Sequence, residues 1–354
     1  MYVDELRTRL LLLLALKRDP RVLRRLLGQH GNAAVALSAM RIDPADWCGA
    51  VERELRDTAA QGACWLMPGM PGYPSPLTDS PLLCIRGQWR SGPAVSIVGS
   101  RQADRYGTAM ASALAHGLSQ VGVTVVSGAA RGVDEAAHRA ALKAGGRTVA
   151  VLGTGLCGVR SAGKRRLLGE IASSGAVMTE YPLMARGARW TYPERNRLVA
   201  SLGQATVVVQ AAKKSGALIT AAYSEVVFAM PGDVCYPLSA GCNALLAKGA
   251  ARLFSHPRDL IPVIGQPGLA SVDWPSGARS DSPQFLSPTR FLAKQGGDSP
   301  ILAALRRQGP LSIASLSGYL PEIPSLGSRL LELELKQQVV RGPLGTYTIA
   351  TTPG

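Results

Sequence analysis

The sequence predicts an α/β protein built on a doubly wound, extended Rossmann-like parallel sheet, with a small helical domain before it and a winged-helix domain after it. Three observations carry this. Between residues 93 and 264, six apolar runs alternate with helical patterns: AVSIVGS, GVTVVSG, RTVAVLG, GAVMTE, ATVVVQA and VVFAMPG. These runs are continuously apolar, as strands covered on both faces must be. Each is followed by a polar, glycine-bearing turn and a helix pattern, which is the rhythm of parallel strand–helix units.

The elements read in order as follows. Residues 1–60 form the short helices of an N-terminal domain, with Asp19-Pro20 acting as a stop and restart. Residues 64–264 form the Rossmann-like core. Residues 265–298 are rich in Pro, Ser and Gly without periodicity and read as a linker. Residues 299–354 give three helical patterns and then QVVRGPLGTYTI, two short strands about a turn, hence a winged-helix-like domain.

Composition narrows the function classes. The chain has 354 residues, 46% of them hydrophobic, so global disorder is excluded. Its net charge is +15. Residues 64–264 hold 21 basic and 10 acidic side chains, so most of the excess lies in the core. A polyanion partner follows from such a distribution, with a solubility role as the rival reading. The six cysteines form no CxxC pair and the four histidines have no metal-ligand spacing, so reduced thiols, no metal and a cytoplasmic location are expected. The run Leu10–Leu16 is too short to span a membrane and lacks the flanks of a signal peptide.

Ligands of a doubly wound sheet bind off the carboxyl ends of its strands. Three turns there are polar and glycine-rich: Gly99, Ser100 and Arg101; Ser127, Gly128, Arg131 and Gly132; and Lys214, Ser215 and Gly216. Glycine admits close backbone approach, and a helix start favours negative charge. Each turn alone is equally a tight strand–helix connection. The three together, with cations among them, point to phosphate.

Two motifs compete. Gly153-Thr-Gly155-Leu-Cys-Gly158 is a literal GxGxxG after a strand, and Glu180 ends the next run, as in a dinucleotide fingerprint. Overlapping it, Gly158 to Lys164 fits a P-loop until Arg165 takes the position of the Mg²⁺-binding hydroxyl. The run Lys164-Arg165-Arg166 suits a longer anion better. RWTYPERNR at 189–197 sets Arg189, Arg195, Asn196 and Arg197 around Trp190 and Tyr192, the cations and stacking rings of a single-strand site. Trp190 is equally readable as core, and a structural ion pair rivals the contact role of Arg195 and Arg197.

VGSR, SGAARGVDEAAHRAAL, GGRTVAVLGTG, TEYP, PERNRLVASL, KSGALITA, AMPG and GCNALLAKGA stand in the order found in the DprA/Smf DNA-processing family, which the chain resembles over about residues 64–264. The resemblance implies a non-enzymatic, cofactor-free protein of natural transformation and competence. Such a protein binds and protects incoming single-stranded DNA as a homodimer and loads the RecA recombinase. It implies DNA contacts from Arg101, Arg189 and Tyr192, a SAM-like N-terminal helical domain, and a winged-helix domain that either binds duplex DNA weakly or only mediates protein contacts. The chain departs from the family at Cys157-Gly-Val-Arg160, where Asp and Tyr-Pro are usual, and at Gln210, where Glu is usual. The stretch between Ala221 and Pro231 is shortened, and the Gly-rich hairpin of the N-terminal domain is missing. Two other classes remain: a nucleotide-binding Rossmann enzyme, hydrolytic or NAD-linked, and a winged-helix transcription regulator.

Overall fold

A computed structural model describes residues 2–16, 18–275, 300–320, 326–336, 338–342 and 346–350. The chain divides into two compact units, Met1–Ala278 and Arg279–Gly354.

The first unit opens with four helices, α1 (Tyr2–Ala15), α2 (Pro20–His30), α3 (Ala33–Ala39) and α4 (Pro44–Ala60). The break expected at Asp19-Pro20 is real: Asp19 caps α2 by accepting the Arg21 N–H at 3.0 Å, and Pro20 fills the first position, where no N–H is needed. A nine-stranded sheet follows. Its strands are β1 (Ala63–Leu66), β2 (Leu83–Gly87), β3 (Ala94–Val98), β4 (Thr124–Ser127), β5 (Thr148–Leu152), β6 (Ala176–Thr179), β7 (Ala205–Val208), β8 (Val227–Ala229) and β9 (Arg252–Leu253). Their spatial order is β1-β2-β6-β5-β4-β3-β7-β8-β9. The seven strands from β6 to β9 in that order are parallel, and β2 and β1 are added antiparallel at one edge. All six runs read from the sequence are strands. Strands β1, β2 and β9 were not expected: the Ala63–Leu66 and Leu83–Gly87 segments lie outside the strand–helix alternation, and β9 has only two residues.

The connecting helices are α5 (Arg105–Gln120), α6 (Val133–Lys143), α7 (Ala162–Ser174), α8 (Thr191–Leu202), α9 (Ala217–Tyr223), α10 (Ala240–Ala247) and α11 (Ile261–Ile264). They cover both faces of the sheet. One apolar layer joins Val95, Ile97, Val125 and Val207 to Leu114 and Leu118 of α5 and Ala137 of α6. The opposite layer joins Val98, Val126 and Val208 to Leu198 and Leu202 of α8 and to Ala217 and Ala221 of α9. Between Ala221 and Pro231 the chain passes from the two-turn α9 straight into β8.

Two boundaries differ from expectation. Helices α1–α4 are not a separate body: Leu10, Leu13, Leu23 and Val51 share one core with Trp65 of β1 and Cys84 of β2. The apolar face of a short helix bundle is satisfied here by the sheet edge. The second difference is at Gly265, where the linker was expected to begin. A 3₁₀ turn at Pro267–Ser271 follows, and Leu269, Val272 and Trp274 are buried, with Trp274 edge-on to Phe254 at 5.5 Å. The remainder of the expected linker, residues 276–298, lies outside the described residues.

The second unit contains α12 (Pro300–Gln308), α13 (Ile313–Tyr319) and α14 (Leu326–Leu335) with strands β10 (Leu311–Ser312), β11 (Val339–Arg341) and β12 (Thr346–Ile349). The strands form an antiparallel sheet in the order β10-β12-β11. Ile301, Leu305, Leu316, Leu330 and Tyr347 make its core.

Candidate functional site

Strand β3 is where the sheet reverses: β4, β5 and β6 extend to one side of it, and β7, β8 and β9 to the other. The turns leaving neighbouring strands on the two sides diverge there and leave a crevice, the usual ligand position of such sheets. A cleft of about 790 Å³ opens at this point. Its walls are the turn after β3 (Gly99, Ser100, Arg101, Gln102), the turn after β4 (Gly128, Ala130, Arg131) and the loop after β7 (Lys214, Ser215, Gly216). Lys164 of α7 and Tyr192, Arg195 and Asn196 of α8 complete it. The three turns singled out in the sequence therefore converge.

Close approach explains two of the glycines. A Cβ on Gly128 would sit 2.6 Å from Arg195 Nη2 and 2.8 Å from Asp134 Oδ2. Gly132 has φ +81° and lies against the Ser100 carbonyl, whose oxygen accepts the Val133 N–H at 3.2 Å.

Some of the turn amides expected to cradle phosphate are already bonded within the protein. Ser100 N–H donates to Gln210 O at 2.7 Å. Gly128 N–H and Ala130 N–H both donate to Asp134 Oδ2 at 3.2 Å. The Ser215 hydroxyl accepts the Ala217 N–H at 3.3 Å. Buried backbone donors must find partners, and here the protein supplies them.

Arg101, Arg131 and Lys214 are exposed on the cleft wall and have no carboxylate partner among the described residues. Arg101 lies over the Tyr192 ring at 5.3 Å. The edge of that ring lies against Gly153 and Gly187: a Cβ on Gly187 would stand 2.3 Å from its hydroxyl, and one on Gly153 3.0 Å from Cδ1. Lys164 is half-buried, and its ammonium is held below the usual lysine range by burial and then by Arg195. Asn196 Nδ2 donates to Gly216 O at 3.1 Å and ties α8 to the third turn.

Arg195 reaches the cleft but is structural in its bonds. It is 4% exposed, and its Nη1 donates to Gly128 O at 2.6 Å and to Val151 O, joining the ends of β4 and β5. Burial brings its guanidinium down to about 10, against the pull of Asp134. Asp134, equally enclosed, is pushed up by burial and held back by Arg195.

Five residues proposed from the sequence stand outside the cleft lining: Ser127, Gly132, Arg165, Arg189 and Arg197. The Ser127 hydroxyl is buried and donates to Ile97 O at 2.6 Å. Arg165 donates to Val159 O at 3.2 Å and to Arg160 O, bracing its own helix start. Arg189 is exposed on the segment before α8. Arg197 is the clear correction. It pairs with Glu180, with Asp79 at 2.6 Å and with Glu194 at 3.1 Å, and is buried in this network. Glu180 also accepts the Ser80 hydroxyl at 2.7 Å. The sequence order RNR could not reveal that successive helical arginines at i and i+2 diverge from one face.

The dinucleotide fingerprint is also accounted for by packing. A Cβ on Gly155 would strike the Pro182 and Leu183 carbonyls, and one on Gly158 would strike the Ala185 carbonyl. The glycines admit the protein's own 182–185 backbone, and Glu180 is engaged by Arg197 and Ser80. Trp190, left open between core and surface, is partly exposed with the Arg21 guanidinium over its ring at 3.9 Å.

The sequence profile of DNA recombination-mediator protein A matches residues 65–265, the segment that carries every wall of this cleft. The chain belongs to the DNA recombination-mediator protein A family. A Mycobacterium tuberculosis member that carries the name DNA processing protein DprA is 43% identical over 213 residues, which span 56% of this chain and 54% of that one. The match thus spans about half the length of that relative. Protein Smf of Synechocystis is 33% identical over 267 residues, covering 66% of this chain and 67% of its own. Among solved structures of the family, DprA of Streptococcus pneumoniae superposes with a TM-score of 0.55 at 32% identity, covering 66% of this chain and 82% of that one. DNA processing protein A of Helicobacter pylori, described for its single-stranded DNA binding mode, gives 0.50 at 28% identity over 56% of this chain and 94% of that one. These likenesses fix the α/β class and the large, mostly parallel sheet. Among the described residues no helix is long and apolar enough to cross a membrane, and no group of His, Cys, Asp and Glu is placed to hold a metal.

Proposed function

We propose that this chain binds single-stranded DNA in the switch-point cleft, without catalysis, and serves DNA processing in natural transformation. It protects incoming strands and passes them to the RecA recombinase from a cytoplasmic homodimer. The observation that carries the reading is the set of exposed cations Arg101, Arg131 and Lys214, without carboxylate partners among the described residues, in the switch-point cleft that Tyr192 also lines, with Arg101 over the Tyr192 ring. Phosphate-neutralising side chains beside a ring suit a single strand, whose bases are free to stack. The single-stranded DNA binding mode of the Helicobacter pylori protein supports the same reading.

The nearby carboxylates are not arranged for acid–base work. Asp134 accepts two backbone N–H groups, Glu180 is bonded to Arg197, and Glu194 is held by Arg24 at 2.6 Å and by Arg197. In the second unit, three helices with a β10-β12-β11 sheet support a winged-helix assignment, with weak duplex contact as its role. The bundle α1–α4 takes the SAM-like assignment.

The deciding experiment measures affinity of the full chain for a single-stranded oligonucleotide, the matching duplex and free nucleotides at two salt concentrations. Preference for the single strand, weakening as salt rises, is expected. Tight binding of a free nucleotide with no single-strand preference would overturn the proposal.

A further inference from the structure

A second hollow, of about 510 Å³, lies beside the cleft and shares Gly128, Lys164, Tyr192 and Arg195 with it. The loop of the GxGxxG and P-loop-like motifs forms its floor, from Gly153 through Ser161, and the Arg186-Gly187 turn closes the other side. Four of its lining residues are cationic (Arg160, Lys164, Arg186 and Arg195), and none is acidic.

Arg160 and Arg186 are exposed, and neither guanidinium has a protein hydrogen bond or ion pair among the described residues. Helix α7, thirteen residues long, starts at the hollow, and Ser161 Oγ accepts the Lys164 N–H at 3.4 Å. Its positive end favours an anion. An independent feature points the same way. Thr154, 8% exposed, lines the hollow, and its hydroxyl has no hydrogen-bond partner. A buried hydroxyl without a partner costs stability and is expected to gain one from a ligand.

We propose that the hollow formed by Thr154, Arg160, Ser161, Lys164, Arg186 and Tyr192 is a second phosphate site, which holds the phosphodiester next to the one bound in the switch-point cleft. This rests on the single-strand reading above. The ligand class follows from the walls. Two free guanidiniums and an ammonium with no carboxylate match a tetrahedral dianion or diester. Apart from Tyr192, whose ring is shared with the cleft, no aromatic ring among the described residues lines the hollow to stack a base. The shared wall makes the two phosphates neighbours on one strand, with the Tyr192 ring between them. The bound strand thus runs from the turn after β3, past Tyr192, to the start of α7.

The test uses the full chain, a twenty-nucleotide oligothymidylate as probe, and salt-titrated binding. Arg160→Ala/Arg186→Ala should weaken binding about tenfold or more, the loss expected for charge-assisted contacts. The slope of log affinity against log salt should shrink by about 0.7, one phosphate's worth. Melting temperature should hold, since both side chains are exposed. Arg160→Lys/Arg186→Lys should keep the wild-type slope. If the alanine variant keeps wild-type affinity or slope while Arg101→Ala loses both, the second phosphate site is wrong and the single-strand reading stands. If the wild-type chain does not bind the oligothymidylate, both fall.

Discussion

The Arg101 guanidinium rests 5.3 Å over the Tyr192 ring, across the mouth of the cleft between the first turn of the parallel sheet and helix α8. Neither side chain has another charged partner to leave when a strand arrives. Arg101→Ala should weaken single-strand binding by roughly 1–3 kcal/mol, the range for a hydrogen bond to a charged group. The salt slope should shrink by about 0.7. Asp104 cannot take the place of a phosphate here, because it caps α5 by accepting the Gly107 N–H at 2.8 Å. Thermal melts and salt-titrated binding on the one variant check this: a lower melting temperature with an unchanged slope would make Arg101 a brace and not a contact.

Arg197 should behave in the opposite way. It neutralises the buried Glu180, and removing one partner of a buried pair leaves an uncompensated charge. Arg197→Met should cost roughly 3–5 kcal/mol of stability. Adding Glu180→Gln should recover part of that loss. In the folded fraction, the salt slope of DNA binding should equal wild type. Chemical denaturation of the single and double variants, followed by binding, provides the measurement.

Gly155 should resist replacement for packing reasons alone. Its missing side chain admits the Pro182 and Leu183 carbonyls. Gly155→Ala should destabilise by roughly 1–3 kcal/mol, as overpacking does. The dinucleotide reading of the same motif expects NAD to raise the melting temperature of the wild-type chain. No such shift is expected, and a saturable one would restore that reading.

Acid stability should depend on His138. Its Nδ1 lies 2.7 Å from Thr148 Oγ1, which gives its own proton to Val125 O at 2.8 Å, so His138 donates from Nδ1. Its Nε2 is buried with no partner. Burial, then Arg195, brings the ring down to about 3. The unfolded chain takes up this proton near pH 6.5 and the folded chain does not, so stability is full above that pH. It should fall by up to about 1.4 kcal/mol per pH unit from about 6.5 toward 3. Urea titrations across this window should show a shallower fall in His138→Gln; an equal fall in both would remove His138 as the cause.

The parallel core was legible because its strands are buried on both faces. A run such as Thr206-Val-Val-Val209 has no other place to go, and the order of strand and turn brings Arg101, Arg131 and Lys214 to one edge. Arg197 was not legible in the same way. A cation two residues from another in RNR looks like more of the same patch, and only the fold brings Glu180 and Asp79 to it from residues far away in sequence. The role of the turn amides was hidden for a related reason. Asp134 reads as an ordinary first-turn acid of α6, yet its carboxylate turns back to fill the amides of Gly128 and Ala130. Arg186 carried a weak signal, as one more cation just ahead of RWTYPERNR.

The burial of Trp274 against Phe254, and of the α1–α4 leucines against β1 and β2, separates two things that are easily equated. The family's own sequence profile is confined to residues 65–265. What holds together physically begins more than fifty residues earlier and runs at least to Trp274. A fragment cut at the limits of likeness would bare the Leu10–Leu14 face of the sheet edge on one side and Phe254 on the other. Inheritance and cooperativity therefore have different borders in this chain. Changes in the leading helices reach the segments around α8 through direct contacts: Arg21 on Trp190, Arg24 on Glu194, and Glu54, whose carboxylate accepts the Leu183 N–H at 2.7 Å.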